Sequence, residues 1–430
     1  MSTTFRISSS CDVNDAHEKL SSQFTMATDT SKETPLRLLS RSNLAKYLVE
    51  RRKLCDKSTS ESPDALRGRV ALLLDCSETF GFALTLMRNV RVQSMPLVRY
   101  KNPALKPGPY DALCFLSVGD LVTTMIEFVD RANVNTSEDG EDSVFSTMNR
   151  LATVGVQLES LPLSQCRTRW DGTVIWSATA KTQNMAESLE KNLYITDQER
   201  PGDVRLRSIP HRFAVMDDAN NIEYIVSQSD IAMYLYTNRN VITELWTEAT
   251  VSELGLAQTP GVVTVACSTM LIEAFRELER HRVGALAVVD EPTGAMVGVI
   301  SESDITHFIA GASFAAMALP VGEMLLHFKS IRTCAPLTAP RTGVFNPASS
   351  PYAVTLMQHA AEFLVVCKPS DTLTHVLSLM DNNAVHRVFV VDEASRPTGV
   401  ISLADILVTV KRMGMSVKDS KEARDRMMIA

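Results

Sequence analysis

The chain has 430 residues, 45% hydrophobic and 22% charged, with a formal net charge of −7. That length supports two or three domains with ordinary cores, and the acidic balance argues against nucleic acid as the main partner, because such binding draws on clustered Lys and Arg. The eight cysteines are scattered with no Cys-x-x-Cys pair, which reads as reduced packing residues inside a cell and excludes a disulfide frame or a zinc site of that type. No apolar segment of secretory type opens the chain. The longest apolar stretch, Phe308 to Leu319, is too short to span a bilayer and stops at Pro320. The expectation is a soluble cytosolic or nuclear protein with no membrane contact.

Residues 1–35, rich in Ser, Thr and Asp, predict a disordered tail. Residues 36–54 predict a helix whose Arg51-Arg52-Lys53 patch reads as a solvated face. A repeating unit begins at Val70. It reads as a strand at Ala71–Leu74, a helical stripe at Ala83, Leu86, Met87 and Val90, a strand at Met95–Val98, a proline-rich loop, a returning strand at Leu113–Leu116 and a helix opening at Ser117. Residues 133–150 read as an acidic, flexible insertion. The second copy has a strand at Val174–Trp176, a stripe at Met185, Leu189 and Leu193, a polar loop at Asp197–Asp203, then His211-Arg212, Asp217, Ile225–Ser227 and Asp230.

The third copy carries its stripe at Leu271, Ala274, Phe275 and Leu278, followed by His281-Arg282, Val288–Asp290, Gly298–Ser301 and Asp304. In the fourth, Leu373, Val376, Leu377 and Met380 precede His386-Arg387, Val390–Asp392, Gly399–Ser402 and Asp405. The interval from strand-end Asp to helix Asp is 13 residues in the second and fourth copies and 14 in the third. So many features in one order mark an internal repeat. Thr333–Pro351 reads as a loop insertion.

The expected fold is α/β, four copies of β-α-β-β-α. Each is too small to bury both faces alone, so copies one with two and three with four are expected to pair. The organisation read from this is a tail at 1–35, a first pair at 36–243 with copies at about 66–132 and 155–238, a second pair at 244–413 with copies at about 250–312 and 352–412, and a charged tail at 414–430.

Two constellations carry chemistry. Three histidines, His211, His281 and His386, each precede an Arg (Arg212, Arg282, Arg387) near the entrance to a strand. Arg offers a planar fork to phosphate oxygens, and His adds a donor that charges near neutral pH. The first copy lacks the pair; Arg91 lies nearby and Gln93 stands closer to the equivalent position. The second constellation is Ser-x-x-Asp in all four copies: Ser117/Asp120, Ser227/Asp230, Ser301/Asp304 and Ser402/Asp405. Ser with an acid three residues on is also a helix capping box, and an acid in the first turn suits the helix dipole. A short carboxylate at a strand-to-helix junction can equally accept two hydrogen bonds from a ribose diol. Arg for phosphate and Asp for ribose together indicate a nucleotide. No catalytic motif appears, so no reaction is read from the chain.

At these residues the repeats resemble cystathionine-β-synthase (CBS) motifs, which pair into Bateman modules. Four in one chain, with HRVGALAVVDE and VHRVFVVDE followed by GVISLADIL, resemble the gamma regulatory subunits of AMP-activated protein kinase. The resemblance covers about residues 66–412 and implies two modules facing each other in a disc. It implies Asp120, Asp230, Asp304 and Asp405 for ribose, and Arg91, His211, Arg212, His281, Arg282, His386 and Arg387 as phosphate candidates. Thr259 matches a position that helps to bind nucleotide. Asp230 stands where the animal gamma subunits carry Arg, so the second copy is expected to accept a nucleotide as well. The resemblance further implies AMP, ADP or ATP as ligands with no other cofactor, kinase alpha and beta subunits as partners, and no catalysis. The alternatives are a stand-alone CBS protein binding another adenosine ligand such as S-adenosylmethionine, a regulator of a different enzyme, or a scaffold with empty pockets.

Overall fold

The structure, a computed structural model, describes residues 33–42, 47, 72–102, 104, 108–134, 144–168, 177–178, 184–187, 211–217, 219, 221–259, 261–308, 311–333 and 364–410. Residues 1–32 of the first tail, the last tail, the basic patch at 51–53, the Val174–Trp176 strand, Leu189, Leu193, the loop at 197–203 and nearly all of the 333–351 insertion lie outside these residues. Three residues expected in the first tail are instead part of the fold: Glu33 pairs with Val241 and Thr243, Thr34 caps the first helix and Pro35 opens it.

Four three-stranded sheets share one topology, a first strand parallel to the second and the second antiparallel to the third. After a short α1 (Pro35–Arg41), the first copy comprises β1 (Leu74–Asp75), α2 (Phe80–Asn89), β2 (Ser94–Tyr100), β3 (Tyr110–Ser117) and α3 (Val118–Arg131). A long α4 (Val144–Glu159) follows. The second copy has β4 (Ser177–Ala178), β5 (Arg212–Met216), β6 (Ile222–Ser227) and α5 (Gln228–Thr237), then the single-turn α6 (Glu244–Thr247). In the third are β7 (Thr264–Ala266), α7 (Leu271–His281), β8 (Ala285–Val289), β9 (Met296–Ser301) and a 3-10 helix (Glu302–His307), with α8 (Val321–Thr333) beyond. The fourth has β10 (Val366–Cys367), α9 (Leu373–Asn382), β11 (Arg387–Val391), β12 (Pro397–Ser402) and α10 over 403–410.

The repeat extends to fine detail. In every copy the antiparallel register shifts at the same place, between Leu97/Val98, Val215/Met216, Val288/Val289 and Val390/Val391. Such a bulge sets two residues of one strand against one of its partner and bends the hairpin. The expected flexible insertion at 133–150 is corrected in part: residues 144–150 begin α4, which buries Thr147, Leu151, Val154 and Leu158. Their spacing keeps them on one face of a helix, and that face packs into the core shared by copies one and three.

The four copies form a closed ring of contacts. Helices α3 and α7 join copies one and three in one core, with Thr123 Oγ1 donating to Glu279 Oε2 at 2.7 Å. Helices α5 and α9 join copies two and four in another. Apolar faces of β8 and β11 meet through Ala285, Ala287, Phe389 and Val391, joining copies three and four. Copies one and two are tied by Arg212 Nη1 donating to Ser94 O at 2.7 Å and by Ile222 N–H donating to Tyr110 Oη at 2.8 Å. Sheet faces therefore join one with two and three with four, and helices join the two pairs. Among the described residues no helix is long and apolar enough to cross a membrane.

Candidate functional site

Each Ser-x-x-Asp sits where a third strand becomes a helix, because Ser is extended and the next residue turns helical. In all four copies the Ser N–H donates to Asp Oδ2, at 2.7 Å in Ser117/Asp120, Ser227/Asp230 and Ser301/Asp304 and 2.8 Å in Ser402/Asp405. The Ser Oγ–H reaches the same oxygen at 2.6, 2.7, 3.0 and 2.6 Å. The motif is thus a working helix cap, worth about 1 kcal/mol, and a short Asp suffices to close it. One carboxylate oxygen is consumed; Oδ1 points elsewhere, and Oδ1 of Asp405 accepts no hydrogen bond among the described residues.

The four acids differ in access. Asp230, Asp304 and Asp405 are half-buried, whereas Asp120 is sealed at 0% exposure. The chain after α4 lies over the start of α3, with Arg167 N–H donating to Thr124 Oγ1 at 3.1 Å and that hydroxyl donating to Asp120 O at 2.9 Å. Burial there pushes the Cys114 thiol up to about 11 and the Cys166 thiol up to about 12, with the Asp120 charge adding to both. Asp120 is therefore closed to solvent in this arrangement of the chain.

A hydrogen bond repeated four times fixes the true equivalence of the strand entrances. The first helical residue after each Ser donates its N–H to one carbonyl: Val118 to Gln93 (2.8 Å), Gln228 to His211 (2.9 Å), Glu302 to Gly284 (3.1 Å) and Leu403 to His386 (3.1 Å). Gln93, His211, Gly284 and His386 are equivalent, as are Ser94, Arg212, Ala285 and Arg387, each paired across the hairpin with the Ser of its motif. The reading of His281-Arg282 as a third pair in register is corrected. His281 ends α7, and Arg282 occupies the left-handed turn after it, with φ 53°. Both are exposed and tied to their own helix, His281 Nε2 to Glu277 at 3.1 Å and Arg282 Nη2 to Glu279 at 3.3 Å. Arg91, with φ 51°, is the first copy's equivalent of Arg282.

The two genuine His-Arg pairs have different surroundings. Arg212 crosses to the first copy and donates to Ser94 O, clasping the pair of sheets. Arg387 crosses to the third copy in the same way, but the Nη edge of its guanidinium abuts Gly284. A Cβ there would stand 2.5 Å from both Nη1 and Nη2. Among the described residues no hydrogen bond or ion pair engages the Arg387 head group. Burial draws its basicity below the ordinary arginine value, opposed by the carboxylates of Glu302 and Asp405.

Arg387 faces a cavity of about 780 Å³ at the meeting of copies one, three and four. The first copy lends Arg88, Arg91 and Gln93, the third Ser301, Glu302, Ser303, Asp304 and His307, and the fourth His386 and Arg387. Val299, Leu364, Val365 and Phe389 supply apolar wall. Of the expected site residues, this cavity gathers Arg91, Ser301, Asp304, His386 and Arg387. The lining leaves out Ser117, Asp120, Ser227, Asp230, Ser402, Asp405, His211, Arg212, His281, Arg282 and Thr259. Thr259 instead runs beside β12, its Oγ1 donating to Val400 O at 3.2 Å and accepting from Val400 N–H at 3.0 Å. Sequence reasoning passed over Gly284, Glu302 and His307. The sign for Gly284 was the interval to the helix acid, 18 residues from Arg212 and Arg387 but 22 from Arg282.

A family profile described as the CBS domain matches residues 251–311 and 357–412, the third and fourth copies. These are CBS domains. The first two copies share their sheet order, bulge and helix cap, so the chain holds four CBS repeats. It is similar to the gamma subunit of 5'-AMP-activated protein kinase from Dictyostelium discoideum, 26% identical over 46% of this chain and 30% of that one. Similarity extends to the SNF1-related protein kinase regulatory subunit gamma-1 of Arabidopsis thaliana, 23% identical over 55% of this chain and 50% of that one. Among solved structures, a Methanocaldococcus jannaschii protein described as a proposed archaeal homolog of gamma-AMPK aligns over 79% of this chain and 95% of its own, at 15% identity and a TM-score of 0.47. The matched part of this chain spans about 30% to 50% of the length of these curated relatives.

Proposed function

We propose that the cavity binds an adenine nucleotide, with phosphate on Arg387, assisted by His386 and Arg91, and ribose on Asp304. The observation that carries this reading is the Arg387 guanidinium, half-buried, engaged by no hydrogen bond among the described residues and facing a cavity that also holds the Asp304 carboxylate. A buried charge is costly unless something pairs with it, and a bidentate phosphate is the partner that its fork fits best. The apolar wall of Val299, Leu364, Val365 and Phe389 suits a flat base. Asp230 and Asp405 would serve further clefts, the one at Asp230 without Arg212, which donates to Ser94 O.

The reading extends to regulation. The chain would act as the nucleotide-sensing subunit of an AMP-activated-type kinase complex, binding kinase alpha and beta subunits and performing no catalysis. Similarity to gamma subunits supports that assignment. A ligand held at once by copies one, three and four would stiffen the ring, and a partner that prefers the stiffened form would feel ligand binding as a shift in population.

Titration calorimetry of the full chain with AMP, ADP and ATP tests the binding step. AMP is expected to bind saturably, to weaken as salt rises through screening of the cavity charges, and to raise the melting temperature. At a hundredfold excess over Kd the added stability is about 2.7 kcal/mol. No heat and no thermal shift with any of the three nucleotides would overturn the reading.

A further inference from the structure

We propose that Glu302 sets the charge selectivity of the cavity, favouring ligands of low negative charge over polyphosphates. The inference rests on the nucleotide reading and deepens it. In the four Ser-x-x-Asp segments the residue after Ser is Val118, Gln228, Glu302 or Leu403. The third copy alone places a charge there, and it is a negative one inside a cavity otherwise rich in cations.

Its position is set by backbone rather than by chance. The Glu302 N–H is fixed on Gly284 O at 3.1 Å, and Gly284 is the residue that the Nη edge of the Arg387 guanidinium abuts. Glu302 and Arg387 therefore share one stretch of wall, and both line the cavity. The charge of Glu302 is felt at Arg387, where it opposes the effect of burial. The other acid of the cavity, Asp304, has one oxygen occupied by both donors of Ser301. Arg88, Arg91, His307 and His386 face the same space.

A phosphate arriving at Arg387 meets a cation already partly balanced. The first phosphate displaces little, because it takes the fork while Glu302 stays to one side. Each further phosphate adds negative charge to a space of low dielectric that holds a carboxylate, and like charges a few ångströms apart repel strongly there. AMP carries about two negative charges and ATP about four, so the penalty grows along that series.

The test is competition binding of AMP and ATP to the full chain, without divalent cations that would mask phosphate charge, for wild type, Glu302→Gln and Glu302→Ala. Both variants are expected to bind ATP about tenfold more tightly relative to AMP than wild type does. An AMP-to-ATP affinity ratio within about twofold of wild type in both folded variants overturns the role of Glu302 while leaving the nucleotide reading intact. Wild-type protein that binds neither nucleotide overturns that reading, and the selectivity proposal with it. If both variants lose the folded melting transition, Glu302 is a structural residue and the proposal fails.

Discussion

Replacing Arg387 by Ala is expected to weaken AMP binding by roughly ten- to a hundredfold, with the ligand-free melting temperature unchanged or higher. A lost charge-assisted hydrogen bond costs about 1.5–3 kcal/mol, which is that range in affinity. The split between binding and stability follows from the surroundings of the head group. No hydrogen bond in the described protein is broken by removing it, and burial already disfavours its charge. Deleting a desolvated charge of that kind relieves a cost in the empty protein. An arginine holding strands together would behave in the opposite way, as Arg212 should through Ser94 O. Calorimetry and thermal melting on the same preparation separate the two. Unchanged affinity with a lowered melting temperature would make Arg387 a structural clasp.

Gly284→Val is expected to reproduce that loss of affinity without touching a single ligand-binding group. A Cβ at 284 would lie 2.5 Å from two guanidinium nitrogens and 2.9 Å from Cζ. The guanidinium is the far end of a flexible side chain, so it yields and leaves the phosphate position. The backbone pays little, since Gly284 is absent from the glycines with left-handed φ, which among the described residues are Gly255, Gly261 and Gly294. Valine is also at ease next to a strand. The measurement is AMP affinity alongside far-UV circular dichroism and a melting curve. Full affinity in a folded Gly284→Val protein would mean that Arg387 acts from some other position.

Much of this arrangement was legible before any coordinates. Val288–Asp290 with Gly298–Ser301, and Val390–Asp392 with Gly399–Ser402, announce a hairpin followed by a capped helix because each step depends on neighbours in the chain. The fourfold α/β repeat follows from them. The cavity was less accessible, because its members come from three copies and meet only when the ring closes. His281-Arg282 shows the difficulty. Two letters matched His386-Arg387, yet the strand entrance is defined by a backbone hydrogen bond that lands on Gly284. A glycine whose value lies in having no side chain leaves no chemical sign of its own. Residues 144–150 were hidden for another reason. The acidic run before them dominates local composition, while the stripe of Thr147, Leu151, Val154 and Leu158 straddles the end of the supposed insertion.

In Ser-x-x-Asp, Oδ2 closes the helix cap in every copy, and in the fourth copy the other oxygen of Asp405 accepts no hydrogen bond among the described residues. Whether that oxygen can meet a ligand is decided by what covers it, and the covering of Asp120 by the chain after α4 lies beyond the reach of a local motif.

The most direct measurement is a crystal structure of the full chain grown with AMP. The account predicts density in the cavity between copies one, three and four, with phosphate oxygens within about 3 Å of the Arg387 guanidinium and the ribose hydroxyls on Asp304. AMP bound elsewhere, with Arg387 still resting on Gly284 and making no contact with the ligand, would contradict it.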